Sequence, residues 1–435
     1  MRDSELQSIH VTDVVSEINV TTWNASDAII VLGGSVSKKY KLEEHISTLS
    51  EKRIDVIHIQ DIAKSGLVSR LGLPGLSIDH ITHGRKILAV VPLVDSLVPK
   101  ADYLNTLLNC PGNSPSTSFN RIDKYLMHAC LKKQGLAYCE SYRVSTIKDA
   151  LSTWLNFFKG QPVVMKPPRS GGSDGVVLCR SKTDLIQYMR KYLNMVNLER
   201  NTNDDLIMQE YIKADYEYVV NTVSLNGHHI MTDIWIAPSK GSLFIYDYQE
   251  LIVPDDIELA VLSEYTFKVL DACGILNGAC HSELAHISSS KTFKLIEVNP
   301  RIAGEVRTSN NISNWNNHDQ IYWLAVTIVC PLEFAKMKQT HMERKFNCLA
   351  VFLKSNTYGT LNVEAIVKLT QSLKSFHQFG RGLAALHTKK IPIVPTVDLI
   401  TSPGVIMLVG PTAWDDYHTI RLKEPILYIP KEQFY

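Results

Sequence analysis

This chain has no excess of charge of either sign. Across 435 residues, 45 lysines and arginines stand against 44 aspartates and glutamates, a formal net charge of +1. Such a balance offers no bulk basic surface for nucleic acid, and no polybasic run is present to seek an anionic membrane. Long hydrophobic runs are missing too. The longest, such as Ile87-Leu-Ala-Val-Val-Pro-Leu-Val94, fall far short of a bilayer span. The first residues include Asp3 and Glu5, where a signal peptide would be basic and then apolar. The eight cysteines, at 110, 130, 139, 179, 273, 280, 330 and 348, never fall in Cys-x-x-Cys spacing, which argues against a zinc site or a disulfide frame. Asn19-Val-Thr21 and Asn24-Ala-Ser26 match the glycosylation pattern, and without a secretion signal they read as chance matches. The expectation is a cytoplasmic protein of several packed units, because one ordinary core does not extend over this length.

What is present is an alternation of elements. Ala28-Ile-Ile-Val-Leu32 reads as a buried strand, Leu42, Ile46 and Leu49 fall at helical spacing, and Ile54 to Ile59 and Ile87 to Val91 read as further strands. That βαβ rhythm predicts a parallel, Rossmann-like opening domain. Gly33-Gly34-Ser35 reads as a tight turn rather than a ligand cradle, since Gly-x-Gly-x-x-Gly is absent. After the turn-rich Cys110-Pro-Gly-Asn-Ser-Pro-Ser-Thr117, a helix is predicted over Asn120 to Gln134. Ile122, Leu126, Ala129 and Lys133 follow its repeat, and Gly135 stops it. Strands are predicted over Tyr218–Leu225, His229–Ile236, Gly278–Ile287 and Thr292–Val298. Near the end come Cys348–Leu353, the periodic stretch Val363–Leu373, and a hairpin of Thr396–Thr401 with Val405–Val409.

Two segments carry the chemistry. Val163-Val-Met-Lys166 reads as a strand that delivers a lysine at its end. It breaks into Ser170-Gly-Gly-Ser-Asp-Gly175, a loop rich in exposed backbone N–H groups. Such a loop can wrap an anion, with Lys166 as a point charge for phosphate; a flexible hairpin connection is the other reading. The Walker spacing is absent, so this is not a P-loop. Lys124 lies off the Ile122/Leu126/Ala129 face and by itself reads as solvated.

The second segment is a hairpin. If the turn between Gly278-Ala-Cys-His-Ser-Glu-Leu-Ala-His-Ile287 and Thr292-Phe-Lys-Leu-Ile-Glu-Val298 centres near Ser290, Glu283 faces Glu297 and His281 faces Asn299. Ser282, Leu284, Ile296 and Val298 would then form the apolar opposite face. Carboxylates paired across a ladder repel, and a divalent cation removes that cost. A solvated strand face in another register is the alternative. Arg301 follows Pro300 at the strand's end, where a guanidinium suits phosphate. Ala303-Gly-Glu305 and Arg307-Thr-Ser-Asn-Asn311 read as polar surface loop.

In this order, Lys124, Lys166, the 170–175 loop, Ile207-Met-Gln-Glu-Tyr-Ile212, Glu217, Glu283 and Glu297-Val-Asn-Pro-Arg301 resemble the ATP-grasp superfamily. Within it they look most like the L-amino acid ligases that make dipeptides. The resemblance implies an α/β and α+β multidomain fold: a Rossmann-like domain over 1–115, an ATP-grasp domain over 116–330 with a lid at about 142–210, and a C-terminal α/β unit over 331–435. It implies that Lys124, Lys166, Ser170, Gly171, Gly172, Ser173 and Gly175 hold ATP phosphates. Gln209, Glu210, Tyr211 and Ile212 would form the adenine hinge, and Glu217 would bind ribose. Glu283, Glu297 and Asn299 would carry two Mg²⁺ ions, with Mn²⁺ as an alternative metal, and Arg301 with Lys166 would stabilise the reacting phosphoryl group. The implied reaction joins a carboxylate to an amine, both small molecules and amino acids by class, through an acyl phosphate. A homodimer is compatible with it. Rival readings are a bicarbonate-activating carboxylase and a non-catalytic ATP-binding regulator.

Overall fold

The computed structural model describes residues 27–33, 42–59, 84–238, 244–304, 318–338, 346–380, 383 and 391–431. Asn19, Asn24, Gly34, Ser35, Glu305 and Arg307–Asn311 lie outside the described residues.

Strands β1 (Asp27–Leu32), β2 (Ile54–Ile59) and β3 (Ile87–Pro92) form a parallel sheet in the order β2-β1-β3. The first crossover holds helix α1 (Leu42–Leu49), and α2 (Val98–Leu107) follows β3. The parallel opening sheet is therefore as the βαβ pattern predicts. Apolar residues on both faces of β1 are buried, as expected for a strand covered on two sides.

The helix predicted over Asn120–Gln134 starts later. Pro115–Arg121 forms a 3₁₀ segment, Asp123 accepts hydrogen bonds from the Tyr125 and Leu126 amides, and α3 runs Lys124–Lys133. A strong acidic N-cap fixes the start and with it the phase. The buried face is Lys124, Met127, His128 and Leu131, and Ala129 and Lys133 are exposed. Lys124 is thus not a solvated lysine.

A four-stranded sheet follows: β4 (Ser141–Val144), β5 (Val163–Lys166), β6 (Val177–Cys179) and β7 (Leu206–Glu210), in the order β4-β7-β5-β6. Helices α4 (Ile147–Asn156) and α5 (Lys182–Tyr192) cover it around Met165, Leu185, Tyr188 and Met208.

The largest sheet has eight strands. Strands β8 (Tyr216–Leu225), β9 (His228–Pro238), β10 (Tyr248–Ile252), β11 (Gly278–Ile287) and β12 (Thr292–Asn299) come from the middle of the chain. Three from the last hundred residues, β13 (Cys348–Phe352), β15 (Phe376–Phe379) and β17 (Val405–Val409), extend the same sheet in the order β12-β11-β8-β9-β10-β13-β17-β15. Strands β14 (Gly359–Leu361), β16 (Pro392–Ile393) and β18 (Tyr428–Pro430) make a small sheet beside it. The 18-residue helix α6 (Asp256–Cys273) packs with α3 on the large sheet, between the predicted strands His229–Ile236 and Gly278–Ile287, where no helix is predicted. Helix α7 (Gln320–Val329) is apolar almost all round because it lies between the opening sheet and the large one. At its start Gln320 donates to the Thr222 and Cys280 carbonyls and accepts from the Ala303 amide, pinning the chain just beyond Arg301.

The hairpin predicted for Thr396–Thr401 with Val405–Val409 does not form. Thr401 Oγ1 accepts from the Val397 and Asp398 amides and closes a turn there, and β17 pairs with β13 and β15 instead. Side-chain hydrogen bonds to the local backbone outcompete the ladder in this Asp/Ser/Thr-rich stretch. Helices α8 (Val363–Ser372) and α9 (Ala413–Lys423) complete the unit.

Candidate functional site

The β11–β12 ladder places His281 opposite Asn299 and Glu283 opposite Glu297. Nearer the turn the register slips by one, with Leu284 opposite Leu295 and Ile287 opposite Thr292. A bulge absorbs the difference, so the predicted register holds at the acidic end only. One consequence corrects the expected apolar face. Ser282, Leu284 and Val298 are buried, but Ile296, the extra residue of the bulge, lines the cleft beside Glu297.

Glu297 Oε2 lies 2.7 Å from Lys124 Nζ. Asn299 Nδ2 is directed at Glu297 Oε1, 3.3 Å away, and at the His281 carbonyl, 3.5 Å away. Among the described residues no cluster of three or more His, Cys, Asp or Glu side chains is arranged to hold a metal. The donor set is two facing carboxylates and an amide oxygen, hard ligands that suit Mg²⁺ shared with phosphate.

Both lysines are buried. Lys124 begins α3, and its ammonium also donates to the Ser170 carbonyl at 2.6 Å. Burial pulls its pKa down, but Glu297 leads the carboxylates that together raise it. Lys166 ends β5, 4% exposed. Burial and then the neighbouring Lys124 charge lower its pKa to about 8. Two ammonium groups held together out of water call for an anion.

The glycine loop closes over them. Gly172 and Gly175 take φ values of +66° and +68°, and Ser173 shares the left-handed region at +63°. Asp174 ties the loop by accepting from Ser170 Oγ at 2.7 Å and from the Leu198 amide at 2.9 Å. On its outer side the Gly172 carbonyl accepts from the Leu399 amide at 3.1 Å, and Ser173 Oγ donates to the Phe244 carbonyl at 3.1 Å. Ser170, Gly171, Gly172 and Ser173 line the cleft; Gly175 does not, and instead packs under Pro167.

Gln209 and Glu210 end β7, and with Tyr211 and Ile212 they form the opposite wall. Gln209 is oriented by a 2.9 Å bond to Ser141 Oγ, and Glu210 pairs with Lys294. Glu217 is buried in the same cleft and accepts from the Tyr246 hydroxyl. The cleft lies between the four-stranded and eight-stranded sheets.

Arg301 and Asn299 do not line this cleft. Arg301 lies beyond it, on a second cavity against β3 and α2, and its Nε donates to Asp95 Oδ2 at 2.7 Å. Two acidic residues near this end escaped the sequence reading. Asp95 comes from the turn after β3. Glu199 comes from the loop after α5, and burial, then Asp95 and Glu297, push its carboxyl up to about 7. Neither stands in a motif, and only the three-dimensional packing brings them to Arg301.

Lys124 on α3, with Lys166 and the glycine loop of the four-stranded sheet, faces paired carboxylates on the eight-stranded sheet, an arrangement that suits an ATP-dependent ligase. Residues 159–309 match the ATP-grasp domain model. It is 28% identical over 331 residues to dapdiamide A synthase of Enterobacter agglomerans, covering 74% of this chain and 75% of that one. It is 28% identical over 208 residues to the D-alanine–D-alanine ligase of Fervidobacterium nodosum, covering 43% of this chain and 62% of that one. In fold it is similar to the crystal structure of L-amino acid ligase from Bacillus licheniformis, with a TM-score of 0.69 at 15% identity, covering 94% of this chain and all of the other. No described helix is long and apolar enough to cross a membrane.

Proposed function

We propose that the protein is an ATP-dependent carboxylate–amine ligase whose two substrates are amino acids, and whose reaction passes through an acyl phosphate to an amide, ADP and phosphate. The observation that carries this is the meeting of Lys124, Lys166, Glu283 and Glu297 at one end of the cleft, with Arg301 just past it. The likeness to dapdiamide A synthase and to an L-amino acid ligase supports the substrate class.

In this reading the backbone of Ser170–Ser173 and the two ammonium groups hold the phosphates, Gln209–Ile212 receive the adenine and Glu217 the ribose. Glu283, Glu297 and Asn299 would hold Mg²⁺ ions, which supply charge neutralisation at the phosphates when bound. Lys124 and Lys166 orient the terminal phosphate for attack by the carboxylate, and Arg301 offers a guanidinium to the charge that develops on transfer. The closed loop excludes water from the acyl phosphate until the amine attacks. Catalysis is positioning and charge neutralisation.

The same reading sets the units at residues 1–115, 116–330 and 331–435, in a cytoplasmic protein that could pair as a homodimer. Its test is a screen of ADP release with amino acids singly and in pairs, product masses being read in parallel, and with hydroxylamine to trap the acyl phosphate. ADP release that needs bicarbonate instead of a second amino acid supports the carboxylase. Tight ATP binding with no turnover for any pair supports a regulator.

A further inference from the structure

The glycine loop and the turn that braces it lie far apart in sequence. Gly172 and Ser173 belong to the connection between β5 and β6, whereas Leu399 and Ile400 belong to a turn just before β17. Gly172, Ser173 and Gly175 all take left-handed φ values, and Ser173 does so with a side chain. Fixing a glycine-rich segment costs more backbone freedom than fixing any other, so this sequence does not hold one shape by itself. The bracing comes from outside the loop.

The turn is organised around its own side chains. Thr401 Oγ1 accepts from the Val397 amide at 2.8 Å and the Asp398 amide at 3.0 Å. Asp398 Oδ1 accepts from the Thr401 amide at 2.7 Å and the Thr401 hydroxyl at 2.8 Å. The Leu399 amide is instead given to the Gly172 carbonyl, at 3.1 Å. Bonds to the end of β13 anchor the whole turn. The Thr396 amide donates to the Ser355 carbonyl at 2.8 Å, the Ser355 amide to Thr396 Oγ1 at 2.9 Å, and Ser402 Oγ to the Leu353 carbonyl at 2.8 Å. Ile400 packs on Gly172 so closely that an added Cβ there would meet Ile400 Cδ1 at 3.2 Å. On the other side Phe244 takes φ +52°, rare for a bulky residue, and its carbonyl accepts from Ser173 Oγ at 3.1 Å. Leu399 and Phe244 both line the cleft beside Ser170, Gly171, Gly172 and Ser173.

We propose that residues 397–401 are a seat for the glycine loop, holding Gly172 through the Leu399 amide, so that the last hundred residues set how tightly ATP is bound. The role toward ATP rests on the ligase reading above, and the seat itself on the hydrogen bonds. Asp398 and Thr401 act through the Leu399 amide and are positioning residues. The coupling is reciprocal: a turn that steadies the loop tightens nucleotide binding, and a bound nucleotide steadies the turn.

The test is amide hydrogen exchange of the nucleotide-free protein, read over residues 168–176 and 396–401, beside ATP affinity measured by calorimetry. Thr401→Val keeps the shape and removes the hydroxyl. Exchange in both segments is expected to rise, and the ATP dissociation constant to increase, each on the order of tenfold. Thr401→Ser restores the hydroxyl and should return both toward the wild type. Ile400→Ala touches no hydrogen bond of the turn and shortens a side chain already 38% exposed, so it folds even where Thr401→Val does not. It should weaken ATP by about threefold. Amino acid KM values are expected to stay unchanged in every variant, which a general loosening of the fold would not allow. Loop exchange at the wild-type rate while residues 396–401 loosen overturns the inference, as does unaltered ATP affinity in both Thr401→Val and Ile400→Ala. Either outcome leaves the ligase reading standing. A wild type that binds no ATP removes that reading and the nucleotide role with it, while exchange in the loop still decides the seat.

Discussion

Glu283 and Glu297 face each other across the β11–β12 ladder, and Lys124 Nζ stands 2.7 Å from Glu297 Oε2. Without a cation, this lysine offsets the repulsion of the pair. Under the proposed function, a divalent ion held by the pair would take over that role and leave the ammonium for the nucleotide.

The pair gives the first prediction. Glu297→Gln keeps shape and removes one charge, so turnover should drop on the order of 10²–10³-fold while the fold persists. ADP release, together with a melting curve, checks it. Near-normal turnover removes Glu297 from the metal site.

Lys166 gives a pH prediction. Its pKa of about 8 in the free protein means that above this pH the ammonium is largely lost before ATP arrives. Phosphate favours the charged form and raises the pKa, so binding takes up a proton and affinity falls as pH climbs through 8. Calorimetry at this pH in buffers of differing ionisation enthalpy measures the uptake. Lys166→Met should abolish it.

For Arg301 the expectation separates charge from geometry. Arg301→Ala should lose turnover on the order of 10²–10³-fold. Arg301→Lys keeps the charge, loses the planar fork, and should recover only part. Single-turnover hydroxamate formation distinguishes the three proteins, and full activity in the lysine variant would show that charge alone suffices.

Gly175 tests the loop without touching the chemistry. Its φ is +68°, and an added Cβ would sit 3.0 Å from Pro167 Cδ. Gly175→Ala should cost about 1–3 kcal/mol and lower Tm. A variant as stable as the wild type would show that Pro167 yields.

Much of the site was legible because its residues lie close in sequence on regular elements. The alternation in Gly278–Ile287 and Thr292–Val298 fixed which side chains share a face, and the strand ends at Asn299 and Ile287 fell within one residue of the pattern. The bulge at Ile296 was invisible because a single-residue slip leaves the acidic rung unchanged. The phase of α3 departs from the apolar repeat because the Asp123 cap sets where the helix begins. Asp95 and Glu199 were out of reach, since no spacing in the chain records that a turn after β3 meets a loop after α5.

The strand order of the large sheet has a consequence for synthesis. Residues 216–299 supply both carboxylates of the hairpin, yet β10 gains its outer neighbour only when β13 arrives. A nascent chain halted soon after Asn299 would hold that chemistry on a sheet with an open edge at β10, a template for aggregation. Only the strands of the last hundred residues close that edge.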